Sequence, residues 1–261
     1  MPDGKALQSG TSHYLGQGFA EAYGIRFQGR DTKLQIPHQT SWGVSTRLLG
    51  AVIMVHGDDN GLVLPPRVAP TQVVIVPIRQ QAEGVLDACK EIYENLTKQG
   101  IRVKLDDNES RTPGWKFAQY EMKGVPLRIE VGPRDLANGE AVLTKRVNGE
   151  KKVMKIADIE AQVAPLLDEI HNDMYNKAKA YLEKHITEVK TIDELNAALD
   201  NVGGYALLAY DGTPETELKI KELTKGGTAR CIYEMLPEDT DIVDVVSGKK
   251  AVQVAYFARA Y

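Results

Sequence analysis

The residue best placed to do chemistry in this chain is Arg47. It lies in the stretch TSWGVSTRLLGAVIMVHGDDNGLVLPP, which fills residues 40–66. Leu48, Leu49, Val52, Ile53 and His56 recur at helical spacing, and Gly57 stands where a C′ glycine ends a helix. Ser45 and Arg47 then fall in the opening turn, where unpaired backbone N–H groups already favour an anion. A guanidinium at that position can bind a phosphate through two parallel hydrogen bonds or stack on a purine face. The plainer alternative is a solvated surface charge.

Other groups suit a small ligand. Gln8, Thr11 and Ser45 offer short polar groups for nucleotide oxygens and ring nitrogens, although capping or turn roles fit Thr11 and Ser45 equally well. An indole such as Trp42 can wall an apolar ring and attract an ammonium to its face, and Gly43 beside it allows close backbone approach. Taken alone, His13 and Trp42 read as structural residues.

The elements that hold these residues follow from punctuation. Leu15, Phe19 and Tyr23 predict a short helix ending at Gly24, and Pro65-Pro66 closes a first block. A second block alternates strand and helix. QVVIVPI is a strand covered on both faces, a helix spans about 82–99, and IRVKL is the next strand. A helix opened by Pro113 and closed by Gly124 leads to strand PLRIEV, then a hairpin turning at Asn148-Gly149. The third block opens with a helix over about 158–185, striped by Ile159, Val163, Leu166, Ile170, Met174 and Tyr181. Thr191 with Glu194 forms a capping-box pattern, Thr213-Pro214 starts another helix, and YALLAY, TARCIYEM and KAVQVAYFARAY are strands. The fold class is α/β, with mixed sheets flanked by helices.

Composition narrows the function classes. The 261 residues suffice for one to three domains, and no apolar run is long enough to span a bilayer. The first residues lack signal-peptide or transit-peptide character, and the two cysteines, Cys89 and Cys231, both read as reduced core thiols. A cytoplasmic setting is expected. The net charge of −4 does not suit a general nucleic-acid binder, but basic residues outnumber acidic ones between Arg102 and Lys155. That local excess fits either one basic face for a polyanion or an ordinary mixed surface.

Residues 40–66 resemble the third signature motif of class II aminoacyl-tRNA synthetases, in the form used by prolyl-tRNA synthetases of the archaeal and eukaryotic kind. PDGKALQSGTSHYLGQGFAEAYGI resembles the segment before that motif, and TPGWKFAQYEMKGVPLRIEVGPRD resembles the family's anticodon-binding core. The first and second motifs have no counterpart here and are expected before Met1. The resemblance therefore implies a carboxyl-terminal portion. Residues 1–65 would be the end of the class II catalytic core, 66–156 an α/β anticodon-binding domain, and 157–261 a small C-terminal α/β domain.

The activity implied is that of a proline–tRNA ligase. Proline attacks the α-phosphorus of ATP to give prolyl-adenylate, and the prolyl group passes to tRNA(Pro). Such chemistry needs positioning and charge neutralisation more than a side-chain base. By resemblance Arg47 is the catalytic arginine, with Gln8, Thr11, Ser45 and Arg47 binding ATP and His13, Trp42 and Gly43 binding proline. Glu109, Arg111, Lys116, Arg134 and Asp135 would face the anticodon, although each could be only a solvated charge. The implied partners are tRNA(Pro), proline and ATP with Mg2+, and a homodimer in the full-length enzyme, with neither membrane nor DNA. The chain alone is expected to be inactive. The alternative is a non-catalytic tRNA-binding or regulatory module.

One departure stands out. Many members of the family hold a structural zinc with four cysteines, whereas the matching positions here are Asp211, Thr216, Asp244 and Ser247. A thiolate site cannot be built from that set, so no zinc is expected and packing alone would hold the domain.

Overall fold

The computed structural model describes residues 1–261, apart from the side chain of Val202. The chain begins with β1 (Thr11–Gly16), α1 (Gly18–Ala22), β2 (Phe27–Gln28), β3 (Leu34–Gln35), β4 (Gln39–Gly43) and α2 (Arg47–His56). There follow β5 (Val73–Pro77), α3 (Val85–Lys98), β6 (Val103–Leu105), α4 (Pro113–Met122), β7 (Leu127–Val131), α5 (Pro133–Ala137), β8 (Glu140–Lys145), β9 (Lys151–Lys155) and α6 (Ile156–Lys184). The last part holds β10 (Ile186–Glu188), α7 (Ile192–Ala197), a π-helical turn (Ala198–Val202), β11 (Tyr205–Tyr210), α8 (Pro214–Leu223), β12 (Gly227–Met235) and β13 (Gln253–Arg259). Two compact units result, residues 52–185 and residues 1–51 with 186–261.

The first of these units is a five-stranded mixed sheet in the order β6-β5-β7-β8-β9. β5 pairs in parallel with β6 and β7, while β8 and β9 continue antiparallel. All five residues of β5 are buried, because helices cover both of its faces. Val73 and Ile75 pack with Cys89, Ile92 and Leu96 of α3 and with Ile159, Val163 and Ile170 of α6. Val74 and Val76 pack on the other face with Tyr120 and Val125, joined by Phe117 of α4. Each fully buried Leu or Ile contributes about 1.5–3 kcal/mol. β9 gives way to α6 where the sequence punctuation separates the second and third blocks, yet α6 packs into this core.

Helix ends follow local chemistry. Thr112 caps α4 by accepting from Trp115 N–H at 3.3 Å, Pro113 sits in its first turn, and Gly124 follows with a left-handed φ of 69°. α3 starts at Val85, later than the sequence pattern predicts, because Arg79 and Gly84 adopt left-handed φ of 51° and 76°. Gly57 is a correction. Its N–H closes α2 on Ile53 O at 2.8 Å, but it is not among the left-handed glycines. A Cβ there would stand 2.5 Å from Ile53 O, so close approach is what requires glycine.

In the second unit a four-stranded sheet runs β10-β11-β13-β12. Ala206, Leu208, Ala255 and Phe257 meet Leu195, Leu199 and Ile220 from the helices. Thr191 accepts from Glu194 N–H at 3.2 Å, and the Glu194 carboxylate reaches back to Lys190 N–H at 2.7 Å. β12 is an edge strand whose pairing with β13 shifts register beside Cys231. Cys231 is consequently exposed, which corrects its expected place in the core; Cys89 is buried as expected. Ala6 joins the same unit through Ala6 N–H to Arg259 O (2.9 Å) and Tyr261 N–H to Ala6 O (3.0 Å).

Residues 8–56 are built differently. β1 pairs with β4 and β2 with β3 in two-stranded ribbons, and α2 buries none of its side chains. Two-stranded ribbons are marginal without a further layer.

Candidate functional site

The carboxyl ends of the parallel strands form a topological switch point, the place where a binding crevice is expected. From β5 the chain passes through α3 to β6 on one side, then through α4 to β7 on the other, with α3 and α4 on opposite faces of the sheet. Such a reversal is where open α/β sheets bind ligands. Three loops line it, 78–84 after β5, 106–112 after β6 and the turn into α5 after β7.

Buried chemistry makes the 106–112 loop a fixed platform. Lys116, only 3% exposed, donates to Asp106 O at 2.7 Å and pairs with Asp106 Oδ1 at 3.3 Å. Tyr120 OH donates to Asp106 Oδ2 at 2.9 Å, and Asn108 N–H to Asp106 Oδ1 at 3.1 Å. Burial opposes ionisation of Asp106, but the bonds from Tyr120, Asn108 and Lys116 outweigh it and hold the carboxyl below its ordinary value. Glu109 and Arg111 are exposed on this platform. The Arg111 guanidinium lies 4.7 Å from the Trp115 ring centroid, which orients it without neutralising it.

The five residues expected at the anticodon thus divide by environment. Glu109, Arg111 and Arg134 are exposed at the crevice loops. Lys116 is committed to Asp106. Asp135 accepts from Gly132 N–H at 3.0 Å and caps α5. The basic excess of this region also shrinks on folding. Arg102 donates to Ala69 O and Pro66 O, Arg128 pairs with Glu130, Lys145 with Glu150 and Glu169, and Lys155 with Glu140. Two crevice residues, Arg79 and Gln80, escaped the sequence reading. Their signal was position, immediately beyond a wholly apolar parallel strand.

The second candidate set lies on β1, β4 and the start of α2. Thr11 pairs with Gly43, Ser12 with Trp42 and His13 with Ser41. A Cβ on Gly43 would stand 2.8 Å from Thr11 Oγ1, so glycine is what lets Thr11 sit opposite it. Opposed residues share a face and successive residues alternate, so Thr11, His13 and Gly43 lie on one face of the ribbon and Trp42 on the other. Trp42 is 81% exposed. Arg47 is the first residue of α2, exposed, and Ser45 Oγ accepts its backbone N–H at 3.3 Å. Gln8 is exposed upstream of β1. Ser45, Arg47, Thr11 and Gly43 thus follow one another within two paired strands and a helix start.

The positions matching a metal site come together as a hydrogen-bonded knot. Asp211 N–H donates to Asp244 Oδ2 at 2.8 Å, Thr216 Oγ1 to Asp211 Oδ2 at 3.0 Å, and Ser247 N–H to Asp244 Oδ1 at 3.1 Å. Two carboxylates and two hydroxyls already occupied in this way do not fit a thiolate zinc site. Packing is therefore not alone in holding the domain. Among the described residues no group of three or more His, Cys, Asp or Glu side chains is arranged to hold a metal.

Residues 72–166 match the model of the anticodon binding domain, and residues 192–261 match that of the prolyl-tRNA synthetase C-terminal domain. In sequence and in fold, the chain matches the carboxyl-terminal portion of prolyl-tRNA synthetases. It is 48% identical over 264 residues to a proline–tRNA ligase of Clostridium botulinum (strain Loch Maree / Type A3), covering all of this chain and 54% of that protein. A proline–tRNA ligase of Acetoanaerobium sticklandii is 50% identical over 261 residues, with the same coverage. The crystal structure of prolyl-tRNA synthetase from Cryptosporidium parvum, complexed with L-proline and AMP, superposes with a TM-score of 0.92 at 37% identity. That match covers 99% of this chain and 55% of the other. The chain therefore spans about half the length of the synthetases it matches. No helix among the described residues is long and apolar enough to cross a membrane.

Proposed function

We propose that the chain serves a proline–tRNA ligase, supplying its anticodon reader and the last segment of its catalytic core. In this reading residues 1–65 complete the catalytic core, 66–156 form the anticodon-binding domain with α6 packed on its sheet, and 157–261 form the C-terminal domain. The observation that carries the proposal is the strand reversal, with Glu109, Arg111 and Arg134 exposed on the loops beside it, inside the segment matched by the anticodon-binding model.

Anticodon bases are unstacked and can be read on their Watson–Crick edges. A carboxylate such as Glu109 accepts from guanine N1–H and N2–H, while Arg111 and Arg134 meet phosphates or guanine O6 and N7. Lys116 and Asp135 contribute by fixing the loops that carry those groups. Arg47, exposed at the mouth of α2, would hold ATP through its phosphates and adenine, with Gln8, Thr11 and Ser45 supplying hydrogen bonds. His13, Trp42 and Gly43 would serve proline. With the two aromatic residues on opposite ribbon faces, His13 shares the Thr11 and Gly43 side, and Trp42 would wall the pocket from a neighbouring layer. Mg2+ would accompany ATP, and the full enzyme would act as a homodimer on tRNA(Pro).

The deciding experiment is filter binding of the chain to tRNAs that differ only in the anticodon guanines, at one stated salt concentration. Preference for the guanine-bearing tRNA supports the proposal; equal binding to all of them defeats it.

A further inference from the structure

Gln80 makes contacts that a surface glutamine does not need. Its carboxamide nitrogen donates twice, to Asp107 O at 2.8 Å and to Glu109 Oε1 at 3.0 Å. Rotating the amide would set its oxygen against two acceptors, so those partners fix its orientation. The amide oxygen is then left buried without a hydrogen bond. A buried acceptor without a donor costs free energy unless something arrives to pair with it.

The surroundings indicate what would arrive. Arg79, just before Gln80, holds a left-handed φ of 51°, a strained conformation for a non-glycine residue, and Ala82 N–H closes the turn on Arg79 O at 2.8 Å. That turn brings Gln80 from the end of β5 onto the 106–112 loop. Glu109 uses Oε1 on Gln80, and Oε2 has no hydrogen bond among the described residues. Two acceptors, Gln80 Oε1 and Glu109 Oε2, thus belong to side chains in direct contact at the crevice. A matching base must offer adjacent N–H donors. Adenine and cytosine present one donor beside an acceptor, and uracil one donor between two acceptors. Guanine alone presents N1–H beside N2–H2.

We propose that Gln80 is a specificity-determining and positioning residue of the anticodon site. It fixes the Glu109 carboxylate and, after a small side-chain movement, offers its own amide oxygen to the exocyclic amine of a guanine. This inference rests on the anticodon reading above and adds to it a named second reader.

The test uses the 261-residue chain and anticodon stem-loops carrying guanine, inosine or adenine at each anticodon guanine position. Inosine differs from guanine only by lacking the exocyclic amine. The wild-type chain is expected to favour guanine over inosine by about tenfold, within the range of a paired base contact. Gln80→Leu should lower that ratio toward one, weakening guanine binding more than inosine binding, because inosine loses only the fixed Glu109 carboxylate whereas guanine also loses the acceptor for its exocyclic amine. Gln80→Met should behave alike, and both should melt at the wild-type temperature. Gln80→Glu, which replaces the donor facing Glu109 by a second carboxylate, should weaken binding of all three RNAs. A guanine-to-inosine ratio unchanged in Gln80→Leu and Gln80→Met overturns the inference, as does a wild-type chain that rejects adenine but treats guanine and inosine alike. Binding indifferent to all three bases overturns the anticodon reading itself.

Discussion

Arg146 grips Asp58 with a fork of two hydrogen bonds, Nη1 to Oδ2 at 2.8 Å and Nη2 to Oδ1 at 2.6 Å. The Arg146 side chain is only 5% exposed, and its Nε donates to Glu121 O at 2.8 Å. The fork joins the residues just after α2 to the strand end of the five-stranded sheet, 88 residues away in sequence.

Cutting this fork should be costly out of proportion to its position near the surface. Asp58→Ala leaves a buried guanidinium short of two acceptors, and a loss of about 1–3 kcal/mol is expected. Arg146→Lys should recover little of the bond, because an ammonium cannot fork. Urea unfolding followed by Trp115 fluorescence reads both. Wild-type midpoints would show the fork to be incidental.

Acid should loosen the same unit. Arg146 holds the Asp58 carboxyl below its ordinary value of 3.8, and the bonds from Tyr120, Asn108 and Lys116, against burial, do the same for Asp106. A depressed carboxyl stabilises the fold above the unfolded value and loses that contribution as pH falls through the folded one. Stability should therefore hold from neutral pH down to about pH 4 and fall below it. Asp106→Asn should flatten that acid limb; an unaltered limb would remove Asp106 from the account.

The two cysteines should separate cleanly. Burial pushes the Cys89 thiol up to about 12, whereas Cys231 is exposed on the edge strand. A maleimide should label one thiol per native chain, and Cys231→Ser should abolish that labelling. Two rapid equivalents would place Cys89 within reach of solvent.

Removing single charges around the strand reversal should sort readers from supports. Arg111→Ala and Arg134→Ala should weaken tRNA binding and each lower the salt dependence by about one counterion, without altering the melting temperature. Lys116→Met should instead destabilise the unit by about 3–5 kcal/mol, the range for removing one partner of a buried pair. A Lys116 variant that melts normally but has lost RNA affinity would return Lys116 to the reading surface.

Much of this was legible beforehand where one local cause dominates. Val73–Val76 declare a strand covered on both sides because no residue there needs water, and Thr112-Pro113 and Thr213-Pro214 mark helix starts through cap chemistry that acts within four residues. Cys231 misled because an apolar strand reads the same at the edge of a sheet as at its centre. The partners of Lys116 and Asp135 were not legible, because a charge held by a group ten or three residues away carries the same letter as a solvated one. Gln80 was silent for a related reason. Its meaning lies in Glu109, 29 positions downstream, and only the strand reversal brings the two together.

The knot between Asp211 and Asp244 has a consequence for the conditions this domain can endure. Loops fastened by oxygens and amide hydrogens are indifferent to chelators and to peroxide, agents that would strip a thiolate-bound ion. Burial opposes ionisation of Asp211, but its hydrogen bonds with Thr213, Ser247 and Thr216 hold its carboxyl below the ordinary value, so this fastening weakens in strong acid.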